Sequence, residues 1–198
     1  MSILDKMVAA VTPPESEESR RKARQKAMAA AEGNDWLAQI LYHHQRIEAA
    51  FLAVASASDV GARRAAQLEL AVLLGAHANA EEAVIYPALI HFGHKMQGTA
   101  GYTEQAGAKA QLGELEYLDP MSQEFVHKLE HIRRAVAHHV YEEENDRFLD
   151  LKKLPAADQA RLTDRYAEEF ERFSGSDYEQ PARVNEISDA TLRRSPQQ

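Results

Sequence analysis

The sequence contains no cysteine. Disulfides, thiolate metal sites and cysteine nucleophiles are therefore excluded. Glycine and proline are scarce, at 9 and 7 of 198 residues, and aromatics make up 7%. A chain so poor in helix breakers, and rich in Ala, Leu, Glu, Gln and Arg, favours helix over strand. No apolar run approaches the roughly 18 residues of a membrane-spanning helix. The N-terminus also lacks the charged-then-apolar layout of a secretory leader, so a cytoplasmic protein without a membrane partner is expected. The net charge is −8, and Arg20-Arg21-Lys22 is the longest basic block. Nucleic acid is thus not the expected partner.

What is present is long helical periodicity around two matching stretches, His77-Ala78-Asn79-Ala80-Glu81-Glu82 and His139-Val140-Tyr141-Glu142-Glu143-Glu144. Residues four apart share a helix face, so each stretch aims one imidazole and one carboxylate the same way. That face is the apolar one. Leu70, Leu73, Leu74, Val84 and Ile85 lie around His77 and Glu81, while Phe125, Leu129, Ile132, Val136 and Val140 lie around His139 and Glu143. Glu82 falls outside the stripe, and His138, Glu142 and Glu144 lie beside or outside it. A buried, unpaired carboxylate is costly, and imidazole with carboxylate suits iron, manganese or zinc. A single such pair is more often a structural helix contact. Two of them, on two core faces, point to a metal.

Periodicity and capping signals divide the chain into an outer helix over 15–31, then core helices over 36–57, 60–89, 102–117 and 121–151. A fifth helix follows over 156–173. Asp35 caps the first core helix, and Asp119-Pro120 reads as the start of the fourth. Pro87 is expected to kink or end the second, and the glycine-bearing stretch 92–101 reads as a connection. In the first core helix, Leu37, Ile40, Leu41, Ile47, Phe51 and Leu52 form the inward stripe with His44 at its centre. His43 is expected in solvent, and Tyr86 at a helix seam. Ala108, Leu112 and Gln105 face inward from the third helix. The expected organisation is a peripheral segment 1–34, a core 35–154, a helix 155–173 and an extended tail 174–198. The fold class is all-α: an antiparallel up-down four-helix bundle with additional N- and C-terminal helices. Its axis would gather His44, His77, Glu81, His139 and Glu143, with Gln105 in line.

The residues Leu41-Tyr42-His43-His44-Gln45-Arg46-Ile47, His77 through Pro87, and His139 through Asn145 resemble the hemerythrin-like, or HHE cation-binding, family. The likeness covers 35–154. It implies a non-haem di-iron centre, with His44, His77 and His139 as imidazole ligands and Glu81 and Glu143 as bridging carboxylates. It further implies dioxygen or a related small oxidant as partner, in sensing, storage or stress protection. The alternatives are a metal-dependent oxidoreductase turning over peroxide or nitric oxide, and a metal-free interaction bundle. The chain departs from the family pattern at three places. His43 stands where an aspartate is usual, Phe148-Leu149 replaces a Phe-Pro ending, and Glu104-Gln105 occupies the place of a Glu-His pair. Gln105 is a weak neutral ligand, with Tyr102 and Glu48 as possible substitutes, and manganese or zinc in place of iron is compatible with the donor set.

Overall fold

In a computed structural model of the protein, residues 15–175 are described. The aperiodic N-terminal stretch and the tail expected after helix 156–173 lie outside the described residues, apart from Ser174 and Gly175. Among the described residues every regular element is helical, as the composition implies.

Helix α1 spans Glu17–Ala30, α2 Trp36–Ser56 and α3 Val60–Ala80. A π-helical turn, Glu81–Ile85, joins α3 to α4, Tyr86–His91. Helix α5 runs Lys95–Glu114 and α6 Gln123–Glu142. A second π-helical turn, Glu143–Arg147, leads into α7, Phe148–Leu151, and α8 spans Ala156–Ser174. The starts are chemically marked. Asp35, Asp59 and Ser122 each accept a hydrogen bond from the backbone N–H three residues on, at 2.8, 2.9 and 3.1 Å, which satisfies donors that a helix leaves open.

Four sequence expectations are corrected here. Helix α6 begins after Ser122 rather than at Pro120. Asp119 instead closes a turn, its carboxylate accepting the Met121 N–H at 3.0 Å. Pro87 does not end its helix, which runs on to His91; it sits in the first turn of α4, directly after the π-helical turn, where its missing N–H is tolerated. The stretch 92–101 is no connection for most of its length, since α5 starts at Lys95. A Cβ on Gly101 would lie 2.6 Å from the Tyr86 ring, and one on Gly98 would lie 2.9 Å from the Tyr86 carbonyl oxygen. These glycines let α5 lie flush against α4, and packing overrides their poor helix propensity of about 1 kcal/mol each. Finally, Leu52 is 58% exposed, and Val54, a turn beyond Phe51, takes the inward place.

Helix α2 packs against α3 and α6, and α5 packs against α3 and α6. Helix α1 lies against α2 and the turn Glu143–Arg147, whereas α8 lies against α2 and α3 on another side. The apolar stripes of α3 and α6 are buried as their periods require. Helix α8 buries Tyr166 and Phe170 completely, so it is a full partner of the core. Trp36 anchors its near end, packing edge-on to Phe148 and donating its indole N–H to Gln159 at 2.7 Å.

Candidate metal centre

The two His-x-x-x-Glu pairs close as the helical spacing demands. His77 Nε2 lies 3.2 Å from Glu81 Oε2, and His139 Nε2 lies 3.3 Å from Glu143 Oε1. In both pairs the glutamate opens a π-helical turn. The Tyr86 N–H bonds to the Glu81 carbonyl, and the Phe148 N–H bonds to the Glu143 carbonyl, each five residues back. Such turns insert one residue into an α-helix and re-aim the side chains that follow.

From α2, His44 joins them, its Nε2 3.3 Å from Glu143 Oε2. Ligand atoms of His44, His77, Glu81 and Glu143 all lie within 4.8 Å of one another. All four residues are buried, both glutamates at 0% exposure. Glu143 spans the cluster, one oxygen towards His44 and the other towards His139.

The outer nitrogens of the three imidazoles are held. His44 Nδ1 meets Glu144 Oε1 at 2.9 Å, His139 Nδ1 meets Glu104 Oε2 at 2.7 Å, and His77 Nδ1 meets the Tyr166 hydroxyl at 3.1 Å. A carboxylate at Nδ1 accepts a hydrogen bond from the N–H there and leaves the Nε2 lone pair facing inward, the arrangement that metal-binding histidines use. Inside the cluster, His44 Nε2, Glu81 Oε1 and Glu143 Oε2 are buried with no hydrogen-bond partner. The close approach of His44 to Glu143 is not aligned as a bond. Buried polar atoms are nearly always satisfied. Three unsatisfied donor atoms, all of types that ligate transition metals and all from residues converging on one point, fit a cation.

The other end of the cluster is filled by Tyr86 and Gln105. The Tyr86 hydroxyl donates to Glu143 Oε1 at 2.9 Å and lies 3.2 Å from both Glu81 Oε2 and His139 Nε2. The Gln105 amide donates to Glu81 Oε2 at 2.8 Å, and its nitrogen is 3.1 Å from His139 Nε2. Gln105 thus presents its nitrogen, a donor, to the cluster.

Charge follows this geometry. Burial, reinforced by the neighbouring Glu143 charge, holds the Glu81 carboxyl well above the usual carboxylate range, against the pull of the Tyr86 and Gln105 bonds. Burial, then the charges of His44, His43 and His139, keeps His77 neutral. For His44 burial works downward, but the Glu143 and Glu144 carboxylates outweigh it and raise the imidazole. Burial also works against Glu104, yet its bonds to His139 and Arg147 bring it down to about 2.

Gln105 lies in the cluster, as its helix face implies, but Tyr102 and Glu48 do not join it. The Tyr102 hydroxyl donates to the Glu82 carbonyl at 2.6 Å, and Glu48 pairs with Arg24 at the surface. Three side chains placed elsewhere by the sequence pattern belong to the site or its rim. Tyr86 reaches the cluster instead of a seam. Glu144 is buried on His44 instead of lying outside the stripe. His43 is 2% exposed instead of solvated, stacked on Phe170 at 3.8 Å and bonded to the Tyr166 hydroxyl at 2.9 Å. Burial lowers His43 to about 3, with smaller contributions from the His44 and Arg46 charges. Leu162, Tyr166 and Phe170 recur every four residues on one face of α8, which marks Tyr166 as inward, but no spacing rule connects that helix to the motifs. No family model, no curated protein and no solved structure matches this chain.

Proposed function

We propose that the protein is a non-haem iron protein of the hemerythrin-like kind. In this reading α2, α3 with α4, α5, and α6 with α7 stand as an antiparallel four-helix bundle, and the buried cluster holds two irons through which the protein takes up dioxygen or a related small oxidant. The observation that carries the reading is the convergence of His44 Nε2, Glu81 Oε1 and Glu143 Oε2, all buried and none of them hydrogen-bonded.

His44 and His77 would hold one ion and His139 the other. Glu143, which turns one oxygen to each side, and Glu81 would lie between them. Iron supplies the redox and Lewis-acid chemistry when bound. The chain's own residues do the rest. Glu104, Glu144 and Tyr166 orient the imidazoles, the apolar stripes keep bulk water out, and Tyr86 holds a proton beside Glu143, since burial and the Glu143 and Glu81 charges raise its phenol well above the ordinary value. On the His139 side, the Gln105 amide would rotate to offer its oxygen or stay a hydrogen-bond donor to Glu81.

Metal analysis of protein loaded anaerobically with ferrous iron tests this. Two irons per chain, lost together in a His77→Ala, His139→Ala double variant, is the expected result. Failure to retain any transition metal overturns it. The phenol at the cluster favours a second reading, turnover of peroxide on the same scaffold. A rate of peroxide loss no faster than that of free iron would remove it.

A further inference from the structure

We infer that Arg24, on helix α1, is a positioning residue for His44, acting through Glu144, so that α1 is a working part of the metal centre rather than an appendage. The inference rests on the metal reading above, but its geometry stands independently of it.

The chain of contacts is continuous. His44 Nδ1 meets Glu144 Oε1 at 2.9 Å. Arg24 Nε lies 3.1 Å from each Glu144 oxygen, with Nη2 3.1 Å from Oε1. Glu144 is 2% exposed at its side chain and Arg24 25%, so the pair is largely shielded. A carboxylate in that position needs a cation to stay charged, and the two-pronged guanidinium fixes its plane as well as its charge. Helix α1 is itself pinned to the same turn, with the Lys26 ammonium donating to the Asn145 carbonyl at 2.9 Å and Ala23 and Ala27 buried beneath.

The same device occurs on the opposite side of the cluster. His139 Nδ1 meets Glu104, and Arg147 grips both oxygens of Glu104 at 2.7 and 3.0 Å. His44 and His139 are thus each backed by a carboxylate and then a guanidinium. They differ in where the guanidinium comes from. Arg147 belongs to the turn that carries Glu143, whereas Arg24 comes from a helix that supplies nothing else to the cluster. On the His44 side, orientation of the ligand depends on α1 being docked. Loss of such an outer partner typically weakens metal binding about 10- to 100-fold.

The test uses the full chain with Arg24→Leu, Arg24→Lys and, as a control on the same helix, Lys22→Leu, whose ion pair with Glu18 is exposed. Cobalt(II) affinity is measured by competition with a chromophoric chelator. The His44 imidazole ¹⁵N shifts are recorded separately on metal-free protein. Arg24→Leu should lower cobalt affinity about 10- to 100-fold and move the His44 shifts, with Lys22→Leu matching wild type in both. Arg24→Lys keeps the charge but not the fork and should fall between; it carries the test if the leucine variant does not fold. Wild-type affinity and unmoved His44 shifts in the folded Arg24 variants would overturn the inference. If wild type itself binds no cobalt, the metal reading fails, and the ¹⁵N shifts alone decide whether Arg24 positions His44.

Discussion

Glu81 and Tyr86 are five residues apart, yet the Tyr86 hydroxyl lies 3.2 Å from Glu81 Oε2. On a regular α-helix the two would diverge by about 140°. The π-helical turn between them, closed by the Tyr86 N–H on the Glu81 carbonyl, brings residue i+5 over residue i. The tyrosine thereby joins the histidine and glutamate on one face.

Tyr86→Phe keeps the ring and removes that hydroxyl. It leaves Glu143 Oε1 with one partner fewer inside a buried cluster. Urea denaturation of the metal-free variant should show a loss of about 1–3 kcal/mol, with helix content by circular dichroism unchanged.

Gly101→Ala attacks the same tyrosine from the outside, because its Cβ would lie within 2.6 Å of the Tyr86 ring. Alanine is the better helix former, so propensity alone predicts a gain. Overpacking should win, with a loss of about 1–3 kcal/mol. Gly107→Ala on the same helix, where nothing lies within 4 Å, should stabilise instead. Paired urea titrations of the two variants check the contrast.

Glu81→Gln separates the metal site from the fold. In the metal-free protein, burial and the Glu143 charge raise Glu81, so the folded state holds its proton more tightly than the unfolded one. This group's contribution is complete below the ordinary carboxylate range and is lost as pH rises towards its folded value. Glutamine stays neutral. The variant should be more stable than wild type in metal-free urea titrations at pH 8, with the difference shrinking at pH 4. It should also gain little stability on adding ferrous or cobalt ions, whereas wild type gains in proportion to ligand excess over its dissociation constant.

Tyr166→Phe removes the hydroxyl shared by His77 and His43. Two buried imidazole nitrogens lose a partner together, so thermal unfolding of the metal-free variant should fall by more than for Tyr141→Phe, a half-buried tyrosine. An equal shift in both would show that the Tyr166 hydroxyl contributes no more than that of a half-buried tyrosine.

By itself, the sequence determined the helical character of the chain, the stripes that face inward, and the placing of His44, His77, Glu81, Gln105, His139 and Glu143 on those stripes. These are local properties, set by side-chain type and a period of about 3.6 residues. Tertiary structure decided what that period cannot carry. A π-helical turn breaks the phase, so an unbroken period places Tyr86 at a seam and Glu144 beside or outside the stripe. Helices distant in sequence bring Arg24 to Glu144, 120 residues on, and Tyr166 to His77, 89 residues back. Close approach turns Gly98 and Gly101 from apparent loop residues into the packing face of α5. In each case the outcome rests on which groups are buried together, and burial is a property of the assembled helices rather than of any one of them.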